Sequence, residues 1–238
     1  MKIINSFFAS ITFFFFRLFQ GKLPDKTIRR QYEHNKKMWD IELNKKNSAN
    51  RSVFQDNYIE YQTKMKNIQY GRATRLSEKI FLSGKSLNAA INSCEIIAVY
   101  NALIHINKSK DENFPELIRY FSQKGIVAGG LFGTSPKAIE DYFRENDYKI
   151  KSLKGGSITM DRLKNIQKDN RTFIFTAYNK KHNPFSMIHT MCVTKEKNKY
   201  VLHNGTGRET YSDLAEVVVN YNKGLGETIY LLCIEKKG

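Results

Sequence analysis

The 238-residue chain is poor in cysteine (three), proline (four), tryptophan (one) and glycine (fourteen). Cys94, Cys192 and Cys233 are too few and too scattered for a disulfide framework. No CxxC or HxxxH pair gives zinc-ligand spacing, and no metal or organic cofactor is implied. A reduced, intracellular setting follows, with at least one thiol available for chemistry. The sparse glycine and proline exclude collagen-like and low-complexity architectures. A clean membrane span is lacking too. The one long apolar run meets Arg17 before reaching the roughly 20 residues a span requires. No small-x-small cleavage site closes it either, because residues 18–21 read Leu-Phe-Gln-Gly.

What is present suffices for a core: 41% of residues are hydrophobic and 13% aromatic, and 27.7 kDa allows one sizeable domain or one domain with an appendage. The net charge is +16. Residues 1–85 carry 17 Lys and Arg against 7 Asp and Glu, and the remainder 22 against 16, so the first third is the more basic. That balance suits anionic partners such as phospholipid, nucleic acid or acidic peptide. No nucleic-acid-binding signature accompanies it, and no specific nucleic acid is expected.

Three segments follow. Residues 1–20 form an almost wholly apolar helix over 3–19, with Ser6, Ser10 and Arg17 on a narrow polar stripe. It either sits shallowly in a membrane or packs against protein. Arg17, Lys22, Lys26, Arg29 and Arg30 favour an anionic membrane surface contacted through residues 1–30, with a cytoplasmic body. Residues 21–85 read as a basic helical arm: Tyr58, Tyr61, Met65 and Ile68 recur at helical spacing, and 44–52 reads as a loop. Residues 86–238 turn from helices (94–106, 114–123, 136–146, 159–168, 213–221) to strands (172–178, 187–194, 200–203, 228–235). Helices first and antiparallel strands later predict an α+β fold rather than a doubly wound one.

Cys94 follows Asn92-Ser93, two natural helix caps, and opens a buried helix. A helix N-terminus favours thiolate, while Glu95 sets a negative charge beside the thiol that opposes it. His189 lies in the apolar run 187–193, where an imidazole has no obvious structural purpose. A hairpin loop at Glu196-Lys197 places His189 opposite Asn204, within side-chain reach, and sends His203 to the other face beside Cys192. A one-residue slip exchanges the roles of His203 and Asn204. Asn88, six residues before Cys94, offers an amide to a developing oxyanion. Cys192 and Cys233 read as packing residues. The glycine-rich stretch 125–133 lacks the Gly-Lys-Ser/Thr ending of a phosphate loop.

Asn88-Ala-Ala-Ile-Asn-Ser-Cys94-Glu-Ile-Ile-Ala, His189-Thr-Met-Cys-Val and Val201-Leu-His-Asn204-Gly together resemble the papain-like cysteine peptidase superfamily. The nearest likeness is to the bacteriocin-exporter-associated peptidases that cut after double-glycine leaders. The resemblance covers roughly 86–235. It implies a nucleophile helix packed on an antiparallel sheet, and a peptide or precursor-peptide substrate. Cys94 would be the nucleophile, His189 the general base, Asn204 its orienter and Asn88 the oxyanion donor. Asn88 stands where glutamine is usual, and Glu95 where glycine often follows the cysteine. Beside the hydrolase stand two other readings: the same fold as a peptide-docking module with little turnover, and a basic membrane- or nucleic-acid-binding protein with incidental Cys94 and His189.

Overall fold

The computed structural model describes residues 2–45, 53–72, 87–108, 112–180, 183–205, 208–221 and 228–236. The chain starts with helix α1 (Lys2–Phe19), the short strand β1 (Gln20–Gly21) and helix α2 (Asp25–Asn44). Pro24 precedes α2, where a missing N–H costs nothing. Ile28, Gln31, Asn35, Trp39 and Glu42 recur at three- and four-residue spacing along its buried face.

The helical spacing at 58–68 does not produce a helix. Strands β2 (Phe54–Gln55) and β3 (Tyr58–Ile59) form a small hairpin, followed by a single 3-10 turn at Gln62–Lys64. Asp56 and Asn57 close the hairpin at φ +49° and +72°. Two consecutive left-handed residues are the geometry of a tight hairpin loop, which Asp and Asn tolerate better than most residues. Most of the expected loop at 44–52 lies outside the described residues.

Next come α3 (Ala89–Asn92), α4 (Cys94–Asn107), α5 (Phe114–Lys124), β4 (Ile126–Val127), α6 (Pro136–Glu145), β5 (Tyr148–Lys154) and α7 (Met160–Asp169). Every residue of α4 from Cys94 to Ile104 is buried, so this helix is the centre of the molecule. Lys108, in the left-handed conformation, ends it. Strands β6 (Thr172–Lys180), β7 (Asn183–Glu196), β8 (Lys199–His203) and β9 (Glu209–Tyr211), helix α8 (Leu214–Tyr221) and strand β10 (Thr228–Lys236) complete the chain.

The fold is α+β. Six strands form one antiparallel sheet in the order β5-β10-β6-β7-β8-β9. The two outer strands, β5 and β9, were not anticipated. β5 alternates between half-buried and exposed residues as an edge strand does, and β9 has only three residues. Strict alternation gives the sheet two cores. Ile174, Tyr178, Cys192, Tyr230, Leu232 and Ile234 face α4 and α6. Phe173, Phe175, Met191, Val193, Leu202 and Leu231 face α7 and α8.

The basic arm shares the first core. Trp39 packs its ring against Phe54, Tyr100 and Phe114 at centroid distances of 5.3, 5.6 and 5.2 Å. Val53, Ile59, Met65 and Ile68 join the same cluster as α4. Helix α1 docks one face on the body: Ala9 and Phe16 are buried, Phe13 meets the Tyr230 ring at 6.0 Å, and Phe15 meets Phe132 at 5.0 Å. Its other face is open, with Phe14 67% and Leu18 63% exposed. Among the described residues, no helix is long and apolar enough to cross a membrane.

Candidate active site

Cys94 is the first residue of α4. The two expected caps do other work. Ser93 Oγ donates to the Ala89 carbonyl at 2.6 Å, and Asn92 Nδ2 donates to the carbonyls of Tyr70 and Gly130 at 3.0 and 2.6 Å. Ser93 thus closes the end of α3 on itself and Asn92 ties α3 to the arm and to the loop at 128–133, so neither caps α4.

The β7–β8 register differs from the expected one by two residues. Glu196 pairs with Lys199 and Cys192 with His203, leaving Lys197 and Asn198 as the hairpin loop. Lys197, at φ +55°, supplies the left-handed position that a tight loop needs. A shift of two keeps every side chain on its predicted face. His203 therefore lies beside Cys192, away from His189, as the sequence argument had it. The shift also ends the ladder at Cys192–His203, so His189 and Asn204 are not paired across it.

His189 and Asn204 still meet, through a different atom. The His189 ring bonds by Nε2 to the Asn204 main-chain oxygen at 2.6 Å. A carbonyl only accepts, so Nε2 carries the proton and Nδ1 is the basic nitrogen. The Asn204 side chain points elsewhere: Oδ1 accepts from the Gln62 N–H at 3.1 Å, and Nδ2 donates to Gln62 Oε1 at 3.0 Å. Its own N–H donates to Glu60 Oε2 at 2.8 Å. Asn204 has φ +59°, which turns its carbonyl out of line with β8.

The main chain of Thr190, the residue after His189, acts to lower the Cys94 thiol, so the sulfur lies beside that stretch of β7. Alternation puts His189 on the sheet face away from α4. Burial pushes the Cys94 thiol well above its usual range, and the Glu95 charge pushes it further. Burial also lowers His189 below its ordinary value, while its bond to the Asn204 carbonyl acts the other way. The resting pair is therefore neutral thiol and neutral imidazole, not the thiolate expected from the helix terminus alone. Six per cent exposure of Cys94 is what lets desolvation overrule the helix dipole.

Glu95 is 3% exposed, and burial raises its carboxyl to about 7. Its own main chain, the Cys94 side chain and the Thr134 main chain act the other way, yet its Oε2 has no hydrogen-bond partner. Gly133 makes room for it: a Cβ there would lie 2.6 Å from Oε2. Asn88 sits at the N-cap position of α3 without capping it, and its buried Oδ1 has no hydrogen-bond partner. Cys192 and Cys233 are buried free thiols in the sheet. Among the described residues, no group of three His, Cys, Asp or Glu side chains has the geometry of a metal site.

Glu60 and Gln62 went unnoticed in the sequence. The only signal was a glutamate in the apolar stretch Tyr58-Ile59-Glu60. In the structure Glu60 is buried against His203 Nδ1, whose Nε2 pairs with Thr194 Oγ1 at 2.8 Å, while Tyr58 stacks on the ring at 4.0 Å. His203 is thereby fully engaged and has no nitrogen left for Cys94. Comparison with protein-family models and with curated proteins finds no match to this chain.

Proposed function

We propose that the protein is a papain-like cysteine peptidase acting on a peptide or precursor peptide, with Cys94 as nucleophile and His189 as base. What supports this reading is the His189 Nε2 bond to the Asn204 carbonyl, which leaves Nδ1 as a base, together with the influence of the neighbouring Thr190 main chain on the Cys94 thiol. Cys94 Sγ attacks the scissile carbonyl as its proton passes to His189 Nδ1, and an S–C bond forms. The oxyanion falls to the Cys94 N–H and the Asn88 amide. The imidazolium then protonates the departing amine as the C–N bond breaks, leaving a thioester that water cleaves with His189 again as base. Because both groups rest neutral, proton transfer accompanies attack rather than preceding it.

The test is turnover of a short-peptide library that includes double-glycine sequences, read by mass spectrometry, with full-length protein and Cys94→Ala compared. Cleavage that survives the substitution refutes the proposal. The buried Glu95 charge beside the thiol favours a second reading, a peptide-docking module with little turnover. Peptide binding without cleavage by the wild type selects it.

We also propose that the open face of α1 rests on an anionic membrane surface. Ile11, Phe14, Leu18 and Phe19 form an exposed apolar stripe, and exposed Arg17, Lys22, Lys26, Arg29 and Arg30 follow it. Apolar area and positive charge together are what interfacial binding requires. Full-length protein should co-sediment with phosphatidylserine-containing vesicles, less in high salt, and less after Phe14→Ser with Leu18→Ser. Equal binding to purely phosphatidylcholine vesicles, or no binding at all, refutes it. So does self-association through this face, detected by sedimentation velocity.

A further inference from the structure

The arm is bonded to Asn204, whose carbonyl in turn holds His189. Asn204 has three polar handles besides its carbonyl, and all three are taken by the arm: N–H by Glu60, Oδ1 by the Gln62 main chain and Nδ2 by the Gln62 side chain. The arm strand is itself fixed from the nucleophile helix. Asn101 of α4 accepts the Ile59 N–H through Oδ1 at 2.8 Å and donates to the Ile59 carbonyl through Nδ2 at 2.9 Å. A continuous path of hydrogen bonds therefore runs from α4, which carries Cys94, through Ile59 and its neighbours to Asn204 and on to His189 Nε2.

We infer that Gln62, with Glu60, is a positioning residue for His189: it holds Asn204 in its left-handed conformation so that the carbonyl, not the side chain, selects the imidazole tautomer. The inference rests on the peptidase reading for its consequence, but its structural core stands apart from it. Left-handed backbone costs a non-glycine residue about 1 kcal/mol or more. Without the Gln62 side chain, Asn204 Nδ2 loses its acceptor while the Gln62 main chain and Glu60 still hold Oδ1 and the N–H, and the loosened turn lets the carbonyl leave the imidazole in part of the population. Nδ1 and Nε2 would then compete for the proton, and part of the population would present N–H rather than a lone pair to the thiol. Glu60 is the less useful probe because it also partners the buried His203. Gln62 has no other side-chain duty than a long 3.4 Å bond from Nε2 to the Ala90 carbonyl.

The experiment measures the His189 tautomer by two-bond ¹⁵N–¹H correlation in full-length protein, alongside steady-state kinetics on whichever library peptide the wild type cleaves. Gln62→Ala should move His189 from the Nε2–H form to a mixture and lower kcat by about tenfold or more with KM little changed. Gln62→Glu keeps an acceptor for Asn204 Nδ2 and should restore the Nε2–H form. Asn204→Gly keeps the left-handed backbone but loses the side-chain anchor, so it should reproduce Gln62→Ala even if that variant folds poorly. An unaltered tautomer in folded Gln62→Ala or Asn204→Gly overturns the inference. So does loss of the Nε2–H form in Gln62→Glu equal to that in Gln62→Ala. A tautomer shift in a protein whose wild type cleaves nothing upholds the positioning and refutes the peptidase reading alone.

Discussion

Replacing Glu95 with glutamine isolates the charge that most opposes thiol chemistry. Glu95 titrates at about 7 when folded, against 4.5 for a free carboxyl. Between those values the folded chain keeps a proton that the unfolded chain has lost, so folding stability falls as pH rises through this window. At about 1.4 kcal/mol per pH unit, the full effect above pH 7 is about 3 kcal/mol. The glutamine variant lacks this dependence. Any cost of burying its amide, about 1–3 kcal/mol, is the same at every pH. Urea unfolding of both proteins at pH 4.5 and 8 should therefore show the stability difference moving by about 3 kcal/mol in favour of Glu95→Gln at the higher pH. His189 acts in the opposite sense: its lowered value makes stability rise with pH up to about 6.5. It is common to both proteins and cancels in the difference. The same substitution should speed alkylation of Cys94 by iodoacetamide at pH 7, since each unit by which the thiol value falls raises the thiolate fraction about tenfold. A stability difference independent of pH, within about 0.5 kcal/mol, would refute the account of Glu95 as a buried acid whose pKa burial raises.

Other substitutions test separate parts of the structure. Cys94→Ala and His189→Ala should each abolish turnover while leaving the circular dichroism spectrum unchanged. Asn88→Ala should lower kcat by roughly 10²–10³ if its amide serves the oxyanion, and removing an Oδ1 that has no partner costs no hydrogen bond there. Gly133→Ala should destabilise by about 1–2 kcal/mol from its φ of +66°, and further through contact with Glu95; a melting temperature equal to wild type would contradict both. Trp39→Ala should cost about 3–5 kcal/mol in urea unfolding and weaken the whole molecule in one transition, because Trp39 lies in the core that α4 shares. A separate early transition confined to the arm would contradict that shared core.

Local chemistry made much of this protein legible before its structure was considered. The apolar circumference of α4 marked it as the buried helix, and short apolar runs marked β6, β7, β8 and β10. The parity of β7 and β8 separated His189 from His203 despite a register displaced by two, because faces depend on odd or even position alone. What the sequence could not carry was every relation made by buried amides across long separations. Asn101 with Ile59, Asn35 with Gln69 and Asn204 with Gln62 join positions 34 to 142 residues apart, and no periodicity announces them. Those bonds turn a segment with helical spacing into a hairpin and a strap. They decide that Asn204 addresses His189 through its carbonyl. Burial, equally a tertiary property, decided the resting charge of the site: a helix N-terminus favours thiolate, but a thiol enclosed beside a carboxyl keeps its proton, since desolvation outweighs the dipole.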